Sequence, residues 1–362
     1  KAALSISAVS DSKMFDGTAA SSASVLVSGL QGSDSVGSAT QVFDNHLVGS
    51  RTLSVDAYTI NDGNGGNNYI VSLHTAGGSI QADPDNFVWT AGSGGAWENT
   101  ANWNQGVLPV SGAHVTLPTT TGGITFNSTT SLSALDSDTD FTIQGGSLTL
   151  GAGFGETSTF GSGAELFVNG GALILNGAHL LSDLTVNGGS LRGSGDISGH
   201  VNIISGLFSP GFSPAIINIT GDLTLGSTST LVMELGDPNT PAANDQINVS
   251  GILTKGGSLQ LAAINGYVPE GGDEFTLFTF GSEAGTFSSI SLPDESVGLS
   301  HGILKILTGM SDLDVTQVLV ESSTQIATDN GLLINLNPVG DEDDGEESGN
   351  ENIRLICTAS TI

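Results

Sequence analysis

The chain has 362 residues, enough for two or three domains with separate cores. Glycine, at 52 residues, runs well above the usual ~7%, charged residues are only 12%, and no G-X-Y period is present, which excludes collagen. Net charge is −30 with seven Lys and Arg, so the surface repels phosphate backbones and anionic lipid, and nucleic acid is excluded as an expected partner.

No stretch reaches the ~18 apolar residues of a membrane helix, so membrane insertion is not expected. The one cysteine, Cys357, permits no intramolecular disulfide, which suits bacterial export better than a small stapled domain. Its basic neighbour is Arg354, and an inert or intermolecular role fits better than a catalytic thiol. A start at Lys1 rather than Met is read as the beginning of a processed or excised piece.

Residues 1–82 read as short alternating strands, AALSISAV, ASVLVSG, RTLSVDAYTI, NYIVSLHT and AGGSIQA, separated by FDG (15–17), LQGSD (30–34) and NDGNGGNN (61–68). Period-2 alternation with Gly, Asn and Asp punctuation predicts a β-sandwich. The set SKMFDGTAA, SGLQGSDSV, VFDNHLVGSRTLSV and GGNNYIVS resembles the YDG repeat module of large filamentous-haemagglutinin-type bacterial proteins, with Phe15-Asp16-Gly17 in place of Tyr-Asp-Gly. The resemblance implies a small sandwich used as a stalk or spacer.

Residues 83–118 hold all three tryptophans, in FVWTAGSGGAWENTANWNQGVLP (87–109). This segment resembles the entry motif of autotransporter-like β-helix regions. Beyond it, Gly-Gly pairs recur at 145–146, 170–171 and 188–189, as in VNGGAL and VNGGSL. Intervals of this length are too short for a propeller blade and fit one coil of a parallel β-helix, with Gly-Gly at the corner and Leu, Val and Ile in the bore. The order GGSLRGSGDISGHV, SPGFSPAIINITGDLTL, STLVMELG, NDQINVSGILTKGGSLQL, GYVPEGGDEFTLF, GTFSSI resembles the C-terminal part of autotransporter-like passenger regions. Ala215 replaces the last glycine of the family's PGxSPG, while its Asp-Gln is present as Asp245-Gln246. The two resemblances together span about residues 1–295. Residues 296–336 keep strand-like pieces (HGILKILT, VTQVLVES, GLLINLN), the acidic DEDDGEESGNE follows at 341–351, and NIRLICTASTI closes the chain.

Catalytic constellations are sparse. A β-helix glycosidase needs paired carboxylates ~5–9.5 Å apart. Asp183, Asp196, Asp222 and Glu234 are the candidates, but their spacing does not repeat with the coil, so no acid ladder on one face is expected. Asp196 and Asp222 sit in Gly-rich turns, where aspartate caps its own backbone, and Arg192 alone could bind an acidic sugar. His46, His74, His114, His179, His200 and His301 are scattered, and G-x-S-x-G, HExxH, CxxC and phosphate-loop patterns are absent. No cofactor is expected. Calcium could bind the oxygen-rich loops 61–68, 237–245 and 341–347, although plain Asn/Asp/Gly turns explain the first two and none has EF-hand spacing. Trp89, Trp97 and Trp103 could stack on a glycan, against the alternative that they cap the open end of a β-helix core.

The reading is therefore an all-β chain. It comprises a β-sandwich module (1–82), a Trp-rich entry or cap segment (83–118), a right-handed parallel β-helix of about six coils, ~30 Å long (119–295), and a β-rich C-terminal segment (296–362). The expected role is a non-enzymatic, secreted or cell-surface structural or adhesive protein. It would assemble head to tail through its terminal strands, AALSISAV and NIRLICTASTI, or bind surface glycans or other surface proteins. The alternatives are a carbohydrate-active β-helix enzyme or a carbohydrate-binding module.

Overall fold

The computed structural model describes residues 1–151, 156–161, 163–211, 214–240, 243–267, 274–291 and three two-residue strands farther on. The described residues form strands and one 3-10 turn, Thr100–Asn102, with no α-helix, so the chain is all-β as expected. Among the described residues no helix is long and apolar enough to cross a membrane. Two compact units are present: Lys1–Ala91 with Asn99–Thr116, and Gly92–Glu98 with Leu117 onward. The Trp-rich segment is thus divided between them rather than forming a block.

In the first unit, β1 (Ala2–Ser7), β2 (Asp11–Met14), β3 (Leu26–Ser28), β4 (Ser35–Phe43), β5 (Gly49–Asn61), β6 (Tyr69–His74) and β7 (Ala76–Gln81) make two sheets. Their strand orders are β3-β1-β6 and β2-β7-β5-β4. One core gathers Leu4, Ile6 and Tyr69, the other Ala8, Phe15, Phe43, Leu53 and Ile80, and Val55 packs against both. Leu4 and Ile6 of β1 are buried while Ala3, Ser5 and Ser7 are not, which is the alternation the sequence shows.

The strand AALSISAV is not free for assembly. β1 is the middle strand of its sheet, parallel to β6 along Ala2–Ser7 on one edge and antiparallel to β3 along Ser5–Ser7 on the other. This apolar β-prone terminus therefore finds backbone partners within its own sheet.

The FDG motif closes a turn after β2. Phe15 goes into the core, Gly17 takes φ +76°, and the Asp16 carboxylate accepts the amide of Thr18 at 2.9 Å and the Lys13 ammonium at 2.7 Å. That ammonium hydrogen bond leads the effects holding the Asp16 carboxyl down at about 2. Tyr69 is buried, and its hydroxyl donates to Asp34 at 2.6 Å while accepting the amide of Gln31 at 2.8 Å, which fixes the LQGSD turn.

The second unit is built on parallel ladders. From Ile124 to Ser291 its named strands pair not with sequence neighbours by hairpins but with a strand 17 or more residues on, parallel, with local bulges in some pairs. One such move is called a step below. Along the first ladder the partners run Ile124, Phe141, Leu166, Leu184, Val201, Leu223, Leu253. Along a second they run Leu148, Leu173, Leu191, Phe208, Leu231, Leu259. A third carries Leu180, Ile197, Ile219, Val249 and Phe280. These residues are buried throughout. Each aliphatic side chain so enclosed contributes ~1.5–3 kcal/mol, and the core is continuous because like sits on like.

Between ladder positions lie polar side chains, such as Thr125, Thr142, Thr185, Asn202, Thr224 and Thr254, on the opposite face of the same strands. Beyond Ser291 only Lys305–Ile306, Ile326–Ala327 and Leu333–Ile334 are described, the first parallel to Glu274–Phe275 and the other two antiparallel to each other. The acidic run 341–351, its candidate calcium loop, NIRLICTASTI with Cys357, and His301 lie outside the described residues.

Candidate functional site

The Gly-Gly pairs stack on one another. Ser147 donates its amide to Ser128 at 2.9 Å, Ala172 to Gly146 at 3.0 Å, and Ser190 to Gly171 at 3.0 Å, so each pair sits one step beyond the last. Gly146 and Gly171 have φ +65° and +63°, and a Cβ on either would strike a carbonyl of the previous step. The motif therefore serves two needs at once, a left-handed turn and close backbone approach.

The acids are placed differently from the expectation. Asp140, Glu165, Asp183, His200 and Asp222 each immediately precede a first-ladder residue, so they form one exposed column in which Asp183 and Asp222 lie two steps apart. Unequal arcs between ladder strands hid this in the sequence: the excursion after Leu150 lengthens one step and the one after Leu235 another. Asp196 belongs to a separate column, where its Oδ1 accepts the Asn218 amide at 2.6 Å, Asn218 accepts from Asn248 at 2.8 Å, and Asn248 accepts from Thr279 at 2.7 Å.

What these carboxylates hold is backbone. Asp140 accepts the amide of Glu165 at 3.1 Å, Asp183 that of His200 at 2.7 Å, and Asp222 that of Ile252 at 2.7 Å, each one step along. Glu98 takes the amide of Asn127 at 2.7 Å, and Asp136 that of Thr159 at 3.1 Å. A chain with few basic side chains uses amide N–H groups as the partners of its carboxylates. His200 accepts the Asp222 amide on Nδ1 at 3.2 Å, and His179 Nε2 meets Ser198 Oγ at 3.1 Å. The Asp222 carboxylate also lies 3.2 Å from His200 Nδ1, on an exposed surface and with no nucleophile among these contacts.

Among the described residues Asp245 is the most enclosed acid, with 0% of its surface exposed. Its Oδ1 accepts the amide of Ala215 and its Oδ2 that of Glu234, both at 2.8 Å, while its own amide donates to Glu234 at 2.9 Å. It ties together the base of the excursion between Leu235 and Asn244. Burial pushes its carboxyl up to about 6, against the two amide bonds that lower it.

The three tryptophans are all interior, at 1–2% exposure. Trp89 and Trp103 bridge each other with ring centroids 5.1 Å apart at 90°, and Trp89 Nε1 donates to Ala91 at 2.7 Å. Trp97 packs edge-on against Phe126 and Phe141 at 5.3 and 5.7 Å. A sugar needs an exposed indole face, so in this conformation the glycan-stacking expectation for Trp89, Trp97 and Trp103 gives way to core packing.

In the first candidate calcium loop, Asp62 accepts the amides of Asn64 and Gly66 at 2.8 Å and of Asn68 at 3.1 Å. These bonds, led by that from Gly66, lower its pKa and hold the turn together. Asp237 likewise accepts the Asn239 amide at 2.9 Å. Among the described residues no group of three or more His, Cys, Asp or Glu could hold a metal ion.

Residues 1–76 match the model of the YDG domain, in agreement with the resemblance carried by Phe15-Asp16-Gly17 and its companions. No curated protein and no solved structure matches the chain.

Proposed function

We propose that the protein is a secreted or cell-surface structural or adhesive protein of the bacterial filamentous-haemagglutinin and autotransporter-like type. Residues 1–82 form a sandwich-like spacer module, and residues 119–295 wind as a right-handed parallel β-helix. The continuous parallel ladder from Ile124 to Leu253 carries this reading, since a solenoid is the simplest path that brings every strand back onto its predecessor. Six steps at ~4.8 Å correspond to ~29 Å of rod. Trp97, over Phe126 and Phe141, fits the plug of its N-terminal end. The match of the first residues to the YDG domain supports a place in a modular chain.

The carboxylates support a passive role because they are engaged with backbone amides inside the scaffold. Adhesion, matrix building or filament formation would then be the output, with surface glycans, other surface proteins or further copies as partners. Head-to-tail assembly, if it uses terminal strands, falls to the C-terminal end, because β1 is already paired. Protease treatment of intact source cells tests the reading. Loss of the protein from live cells, with a cytoplasmic control spared, is the expected result, and full protection until lysis would contradict it.

A further inference from the structure

The first unit has four sheet edges, and three of them are guarded. β3 is only 3 residues long, β2 carries Lys13 and Asp11, and β4 is broken by register shifts at Val36/Ser38 and Thr40/Gln41. β6, on the far side of β1, has none of these devices: YIVSLH contains no charge, no proline and no bulge. Charge is in fact absent from 69–82, in a chain with a net −30. Ile70 is 61% exposed and Leu73 49%, although Leu73 pairs in register with the buried Ile6 and so belongs to the inner, apolar row of its sheet.

The backbone on this edge can be assigned. Ala2 donates to Asn68 and Ala8 to His74, which sets the alternation in which Ile70, Ser72 and His74 face β1. Val71 and Leu73 therefore direct their N–H and C=O groups outward. We propose that β6 pairs antiparallel with β6 of a second copy about a two-fold axis at Ser72.

In that register Val71 lies opposite Leu73 of the other copy and Leu73 opposite Val71. Both are hydrogen-bonded pairs formed by the groups that face outward, so the match is self-complementary. The inner row Tyr69, Val71, Leu73 is prolonged by the same residues of the second copy, covering Leu73. The absence of charge favours a second copy as the occupant: two copies of so acidic a chain can meet along this strip without like-charge opposition. A six-residue strand pair is well below the ~1,200 Å² of a standard interface, so the dimer is weak and depends on concentration. The contact is isologous and closes at two copies, so it stands apart from the end-to-end assembly proposed above and does not rest on it.

The test uses the full chain in a Cys357→Ser background. Ser72→Cys should close an intermolecular disulfide on mild oxidation, because a non-hydrogen-bonded antiparallel pair holds its Cα atoms ~4.5 Å apart. Ser35→Cys, on the bulged edge, is the control and should yield several-fold less dimer. In sedimentation, the parent should shift toward dimer as concentration rises. Leu73→Lys, at a half-exposed site that leaves the monomer folded by circular dichroism, should stay monomeric. A parent that remains monomeric at every concentration would overturn the proposal, as would Ser72→Cys dimer no more abundant than the control or association that survives Leu73→Lys.

Discussion

Gly171 and Gly177 lie six positions apart, both have positive φ, and only one is crowded. Gly177 sits in a bulge with open space where a Cβ would go, whereas at Gly171 the Cβ would meet backbone of Gly145 and Gly146. Gly177→Ala should cost only the left-handed penalty of ~1–2 kcal/mol, and Gly171→Ala that penalty plus an overpacking term of ~1–3 kcal/mol. Urea midpoints of the two variants check the order, and equal losses would show that the corners do not stack. Asp245 gives a second test at this scale. Its folded carboxyl titrates near 6 against 3.8 when unfolded, so its contribution favours folding fully below about pH 4 and is lost as pH rises through about 6. Asp16, lowered to about 2, acts in the opposite sense, contributing above pH 3.8 and losing that as pH falls through its folded value. The stability of the parent minus that of Asp245→Asn should therefore decline from pH 4 to 6.5; a flat difference would show that Asp245 titrates normally.

At the scale of elements, the packing of the aromatic residues decides their role. Trp97→Ala should destabilise the second unit by ~3–5 kcal/mol, as truncation of a buried indole does. Tryptophan emission should resist acrylamide in the parent and should not respond to glycans; strong quenching or a glycan-dependent shift would restore the stacking reading. Strands with clear apolar alternation, such as AALSISAV, RTLSVDAYTI and NYIVSLHT, were legible in the sequence and are present as β1, β5 and β6. β2 and β4 were not, because DSKM and SVGSATQVF are polar or small for most of their length and owe their pairing to neighbours. The Gly-Gly corners were legible through their repetition. The acid column was hidden because arcs of unequal length destroy any fixed interval, although the ladder restores the register in space. The buried clamp at Asp245 showed only as the dipeptide Asp245-Gln246, and nothing local marks that carboxylate as interior.

At the scale of the molecule, the composition has one physical theme. Many glycines let backbones approach at corners, while carboxylates take amide N–H groups as partners instead of scarce Lys and Arg. The central claim is that the second unit rises in register, strand upon strand, and disulfide trapping in the Cys357→Ser background measures it directly. Thr185→Cys with Asn202→Cys places the two sulfurs on register partners, ~4.8 Å apart at Cα and within disulfide range. Thr142→Cys with Asn202→Cys lies three steps apart, ~14 Å, beyond reach. Rapid intramolecular closure of the first pair and none of the second is the predicted result; equal closure of both, or of neither, would contradict the stacked register.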